Sequence, residues 1–441
     1  MQYWRPGRHF YVGDCLPFYH GGVFHFAYLL DRGHHTSKGG LGAHQWVQTT
    51  STDLVHWQDE PMMIPVTDQR EGSICTGSVY PHEGTYYAFY ATRLGDWSEH
   101  LSLAVSPDGI HYTKTQPTLI LSPGPELRKD FRDPHVFRDP GTGLFHLLIA
   151  AVLQADGKGL LAHYTSSDLK QWKEEAPFLA GLPLVPECPD YFEWKGWYYL
   201  VFSQAGVAHY RISRSPLGPW TAPEVDVFDG DQIRVLKTAG FTGNRRLGAA
   251  FLPVSPDRYA GHAVFRELIQ HEDGSLGSHF PEEMLPKTGK RVALSPMTLT
   301  NARAEKGGLL RIGGADTSGS ALLDGLPHNA RLRLTLEPAA GIREYGLRLG
   351  ASATGQGGAE VRFSPSARQV RLAGGPSLSA VDGLDRKPTL DIILKDDILD
   401  LCVDGRRTLI SRIPAARGEQ IGLFSEGGAL SASGIDLRPL K

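Results

Sequence analysis

Only four of the 441 residues are cysteine, and Cys15, Cys75, Cys188 and Cys402 show no CxxC spacing. That argues against a zinc site and against a disulfide scaffold, and no metal or cofactor is expected. No run approaches the roughly 18 consecutive apolar residues of a membrane helix. The opening stretch MQYWRPGRHFYVGD has no apolar segment and no small-residue cleavage site, so it does not read as a secretory signal. Free thiols in such a chain predict a cytoplasmic location. Charge of one sign is also lacking. Lys plus Arg number 45 and Asp plus Glu 48, a net charge of −3, which leaves no basic field for a nucleic acid and no polybasic patch for a membrane. Long amphipathic helical patterns are absent as well. What is present is turn chemistry, in 51 glycines and 30 prolines, together with short alternating strands.

Those strands repeat. An aromatic-rich alternating segment follows a glycine turn in GGVFHFAYL (21–29), GTYYAFYAT (84–92), GLFHLLIAA (143–151), GWYYLVFSQ (196–204) and, more weakly, RRLGAAFLP (245–253). Between these lie hairpins of the form Ser, turn residue, aromatic: STDLVHW (51–57), SPDGIHY (106–112), SSDLKQW (166–172) and SPLGPW (215–220). A strand-rich unit recurring every 50–60 residues or so predicts an all-β fold, with a five-bladed β-propeller over residues 1–290. Beyond Leu294 the motif stops. The alternating runs there, including a hairpin at Asp404-Gly405, predict a β-sandwich over 296–441.

Counting back from the aromatic segments aligns four polar residues. Asp14 lies ten before Phe24, Thr76 ten before Tyr86 and Glu187 ten before Trp197; Asp133 lies twelve before Phe145, across an extra Gly-Thr-Gly turn. At one structural position near the start of each inner strand, they would converge on one mouth of a propeller channel. Each carboxylate alone could merely cap a strand end; recurrence weighs against that. Glu187, among prolines and Cys188 with few cations in view, is expected to have a raised pKa and to serve as a general acid. Asp133, next to Arg132, is expected to stay ionised and grip sugar hydroxyls. Asp14, after Gly13, could present a carboxylate to an electrophilic carbon. A nucleophile, an acid and a hydroxyl-gripping acceptor together suit a retaining glycosidase.

Glu187-Cys188-Pro189-Asp190, Arg132-Asp133-Pro134 and Thr76-Gly77-Ser78 resemble signature segments of glycoside hydrolase family 32, the invertases, levanases and inulinases. Trp46 resembles a tryptophan of that family, and Asp14 stands where its nucleophile motif falls. The resemblance implies a propeller plus sandwich, with Asp14 as nucleophile, Glu187 as acid/base and Asp133 as transition-state stabiliser. Two positions depart from the pattern: Gly13 replaces an asparagine and Leu29 a glutamine. Substrate contacts are expected from Arg132, Trp46, Thr76, Ser78, His34, His35, Trp97 and Arg266. The expected activity is exo-acting hydrolysis of β-fructofuranosides through a covalent Asp14 intermediate. Fructosyl transfer, inverting arabinofuranosidase or xylosidase chemistry, and non-catalytic carbohydrate binding are the alternatives. The expected partner is a carbohydrate, with the sandwich either bracing the propeller or forming a homo-oligomer contact.

Overall fold

The computed structural model describes residues 1–441, the Lys129 side chain excepted. The fold is all-β: among the described residues the helices are three-residue turns such as Thr242–Asn244 and Glu282–Met284. The chain divides into two compact units. The first comprises Met1–Val227, Ile233–Leu276 and Pro281–Met284; the second comprises Phe228–Gln232, Gly277–Phe280 and Leu285–Lys441.

The first unit is a succession of antiparallel meanders. The first holds β1 (Tyr11–His20), β2 (Val23–Asp31), β3 (Gln45–Ser51) and β4 (Gln58–Asp59). The second holds β5 (Glu71–His82), β6 (Thr85–Leu94), β7 (Glu99–Ser106) and β8 (Thr113–Leu121). The third holds β9 (Leu127–Arg138), β10 (Phe145–Leu153), β11 (Gly159–Ser166) and β12 (Lys173–Leu182). Next come β13 (Glu187–Trp194), β14 (Trp197–Gln204) and β15 (Val207–Ser213). The last holds β16 (Arg234–Phe241), β17 (Arg245–Pro253) and β18 (Gly261–Gln270), and it joins β1 through the single pair Val12↔Gly261.

Local chemistry explains the meanders. Two-residue turns at Gly21-Gly22, Glu83-Gly84 and Lys195-Gly196 have positive φ at both residues, the geometry that matches strand twist. The Ser-x-Asp segments close the next turns. Asp53 Oδ1 accepts the N–H groups of Val55 and His56, and Asp108 Oδ1 those of Ile110 and His111. The aromatic-rich segments are the second strands, and they fill the space between neighbouring sheets. Leu16, Phe18 and Trp46 pack against Ile74 and Tyr90, Phe89 and Leu103 against Phe131 and Leu147, and Leu148 and Phe137 against Tyr191 and Phe202. Phe24 and Phe26 pack against Leu247 and Phe265, so apolar burial joins the last meander to the first. The leading strands touch in a closed cycle: β1 with β5, β5 with β9, β9 with β13, β13 with β16, and β16 with β1.

Each leading strand carries the same defect. In β1, Val12 pairs with Leu30 and Cys15 with Tyr28, so Gly13 and Asp14 oppose Leu29 alone. Cys75 and Thr76 oppose Ala91 in the same way, between Ile74↔Thr92 and Gly77↔Tyr90. In β9 the extra pair is Asp133-Pro134, in β13 Cys188-Pro189 and in β16 Val235-Leu236. Two residues facing one is a β-bulge, which bends the strand and re-aims its side chains.

The second unit holds two seven-stranded antiparallel sheets. Alternate residues of Ala330–Pro338 turn inward, and Leu332, Leu334 and Leu336 share one core with Leu347, Leu349 and Leu423 of the other sheet. That shared core makes the unit a β-sandwich. The expected hairpin stands at Asp404-Gly405, between Ile398–Val403 and Arg407–Arg412.

Candidate active site

The bulges build the site. A cavity of about 480 Å³ is lined by Asp14, Thr76, Asp133 and Glu187, with Arg132 and His35 on its wall. The three carboxylates do not hold the one repeated position that counting back from the aromatic segments suggested. Asp14 and Thr76 are second bulge residues, Asp133 is a first bulge residue, and Glu187 immediately precedes its bulge. The count fails because the arm between bulge and hairpin varies, running Cys15–His20 in β1, His135–Arg138 in β9 and Asp190–Trp194 in β13.

Asp14 Oδ2 accepts a hydrogen bond from Thr76 Oγ1 at 2.5 Å and lies 3.9 Å from Cys188 Sγ. Its other oxygen, Oδ1, is buried and takes no hydrogen bond among the described residues. Asp133 Oδ2 accepts the Cys188 N–H at 2.9 Å. Glu187 Oε1 accepts from Arg132 Nη2 at 3.0 Å. Arg132 also reaches Glu99 at 3.2 Å and Asp130 at 2.9 Å through Nη1, whereas its Nε stays 3.8 Å from Asp133.

Two electrostatic expectations change as a result. Burial pushes the Asp133 carboxyl up to about 7, outweighing Arg132, with the Asp14 and Glu187 charges pushing the same way. Asp133 is therefore not held ionised by its neighbour: the guanidinium spends its Nη groups on Glu99, Asp130 and Glu187. Glu187 does have a cation beside it, yet its pKa is still raised, because desolvation outweighs the opposing pull of Arg132. His35 is pushed down to about 4, mainly by burial, and its Nε2 meets Arg93 Nη1 at 2.8 Å, as befits a neutral acceptor.

Other sequence candidates fall outside the cavity lining. Trp46 is wholly buried behind it, where its Nε1 donates to Cys75 O. Ser78 Oγ accepts the Val136 N–H and ties β5 to β9. Arg266 is buried, with Nη1 donating to Phe265 O. Trp97 is 52% exposed, in the turn between β6 and β7. His34 is adjacent to the cavity, its Nδ1 bonded to Tyr259 O at 2.8 Å. Reading the sequence missed Glu99, Arg93, Arg234 and Tyr259. Glu99 accepts from both Arg93 and Arg132, while Arg234 and Tyr259 line the cavity. No repeat signal marks them: Glu99 opens a third strand, and Tyr259 lies in a loop. Among the described residues no cluster of His, Cys, Asp and Glu could hold a metal ion, and no helix is long and apolar enough to cross a membrane.

A ring of β-meanders that pools two aspartates and a glutamate in one cavity has the carboxylate chemistry of the glycoside hydrolases. Residues 15–218, a little under half of the chain, match the Glycosyl hydrolases family 32 N-terminal domain. It is 28% identical to raffinose invertase of Escherichia coli over 279 residues, covering 60% of this chain and 51% of the relative. It is 30% identical to sucrose-6-phosphate hydrolase of the same organism over 283 residues, with the same shares, 60% and 51%. The chain thus spans about half the length of these curated relatives. In fold, a variant of fructan 1-exohydrolase IIa from Cichorium intybus in complex with 1-kestose superposes with a TM-score of 0.76 at 16% identity, covering 100% of this chain and 97% of that one. Sucrose-6-phosphate hydrolase from Lactobacillus gasseri gives a TM-score of 0.70 at 19% identity, covering 100% and 93%.

Proposed function

We propose that the protein is a retaining, exo-acting glycoside hydrolase of β-fructofuranosides, with its chemistry in a five-bladed propeller formed by the first unit. The closed cycle of five bulged leading strands supports the blade count. One observation carries the chemical reading: Asp14 offers an unpartnered buried oxygen in the same cavity as Glu187, a carboxyl of raised pKa. Asp14 Oδ1 attacks the anomeric carbon while Thr76 holds Oδ2. The bond from that carbon to the leaving oxygen breaks, and its electron pair takes the Glu187 proton. Glu187, now ionised, removes a proton from water; the water oxygen attacks the anomeric carbon and frees Asp14. Asp133, with a pKa near neutrality, can donate to or accept from sugar hydroxyls.

Arg234 lines the cavity with no hydrogen-bond or ion-pair partner among the described residues, and Arg258 lines it too. These cations favour a phosphorylated furanoside such as the sucrose 6-phosphate named for a relative. The four free thiols support a cytoplasmic location. The test is a screen of sucrose, sucrose 6-phosphate, inulin, levan and aryl furanosides, with NMR of the first-formed anomer. Retention supports the double displacement; inversion points to single displacement by water, and binding without turnover to a carbohydrate-binding protein.

A further inference from the structure

The bulge that presents Asp14 leaves its N–H without a ladder partner, and a partner arrives from elsewhere in the fold. Tyr259, on the loop between β17 and β18, places its hydroxyl 3.0 Å from the Asp14 nitrogen and accepts that N–H. The same hydroxyl occupies the space beside Gly13. A Cβ at position 13 would lie 2.6 Å from Tyr259 Oη and 3.0 Å from its Cε1. Gly13 has no positive φ, so glycine is needed there for room rather than for backbone conformation.

Tyr259 is itself fixed. Its carbonyl bonds His34 Nδ1 at 2.8 Å, and the His34 N–H is anchored on Asp31 Oδ2 at 2.7 Å. Its ring packs against His44 and Phe251 with centroids 5.2 Å apart, and against His35 at 5.3 Å. Having spent a lone pair on the Asp14 N–H, the phenol keeps its own proton to donate, and burial pushes its pKa up, so it stays protonated.

We propose that Tyr259 is the positioning residue of the nucleophile: its phenol satisfies the bulge N–H, fixes the Asp14 side chain with Oδ1 toward the cavity, and requires glycine at position 13. This rests on the retaining reading above. The test is a cycle of Tyr259→Phe, Gly13→Ala and the double variant on whichever furanoside the wild type cleaves. Tyr259→Phe is expected to lower kcat roughly 2- to 10-fold, the value of a hydrogen bond between neutral groups, with KM changed less than about twofold. Gly13→Ala is expected to lower kcat by displacing the phenol, and the double variant to lose no more than the worse single variant. Additive losses, or a rise in KM alone, overturn the proposal. Amide exchange at Asp14 serves as a readout without turnover: it should quicken in Tyr259→Phe while Thr76 exchange holds. Unchanged Asp14 exchange also overturns it. A wild type that cleaves no furanoside removes the hydrolase reading and leaves the amide to decide the role of Tyr259.

Discussion

Cys188 donates its N–H to Asp133 Oδ2 at 2.9 Å, and the two residues hold the same place in neighbouring strands. Each is the first residue of its bulge, with φ of 59° at Asp133 and 53° at Cys188. Val235, at the matching place in β16, has φ of 53°. Left-handed backbone outside glycine costs on the order of 1 kcal/mol or more, and such strain collects at functional sites. Here it turns the Asp133 carboxyl and the Cys188 N–H toward each other across two strands.

The Asp133 carboxyl ionises at an ordinary carboxylate pH in the unfolded chain but near 7 in the fold, because it is buried. Its folded pKa is raised, so the protonated form is favoured in the native state. Stability from this group is complete below about pH 4 and is lost as pH climbs through about 7, with each tenfold difference in proton affinity between fold and unfolded chain worth ~1.4 kcal/mol. Asparagine keeps an acceptor for the Cys188 N–H and cannot ionise. Asp133→Asn should therefore melt at a higher temperature than wild type at pH 8, with the gap closing toward pH 4, while hydrolysis is lost. Melting curves at the two pH values check this.

In the proposed mechanism Glu187 must be protonated to expel a poor leaving group, and it is dispensable for a good one. Glu187→Gln should lose far more kcat/KM on sucrose-like substrates than on activated aryl furanosides. Parallel assays of the two classes decide the matter, and equal losses would exclude the acid role.

Arg132 divides its charge between Glu187 and Glu99. Glu99 also pushes the Glu187 pKa up by direct repulsion. In Glu99→Gln that repulsion goes and Arg132 turns more fully to Glu187, so the Glu187 pKa falls. The acid then loses its proton at lower pH, and the alkaline limb of the kcat/KM profile should move toward acid. A pH–rate profile of the variant reads this directly.

How the sequence carried this information is clearest at the bulges. Strand repeats, turns and the sandwich hairpin are local patterns, set by alternation and by Gly, Ser and Asp at fixed offsets. Asp14, Asp133, Glu187, Thr76, Arg132 and His35 all reach the cavity, since they stand on or beside leading strands and a loop that follows one of their hairpins. Trp46 and Ser78 looked equally eligible in one dimension, but strand alternation turns them into the packing behind the site. Tyr259 and Glu99 could not be found by period or motif. Their roles come from hydrogen bonds spanning 245 residues to Asp14 and 33 to Arg132. The bulge itself is silent in sequence, because three of its five first residues adopt positive φ without being glycine.

Lys237 ties this arrangement together. It directly follows the β16 bulge, is buried, and donates from Nζ to Gly77 O at 3.0 Å and Pro189 O at 2.9 Å. These carbonyls belong to β5 and β13, so one side chain ties three leading strands together at the level of their bulges. A bulge frees carbonyl groups from the ladder, and buried ones left unpaired cost about 1–3 kcal/mol each. Lys237→Met keeps the aliphatic stem and leaves both carbonyls bare. It should lower the stability of the first unit by ~2–5 kcal/mol, seen as a lower urea midpoint with an unchanged slope. If the lysine instead served only to fill space, methionine would match wild type, and the midpoint would stay where it is.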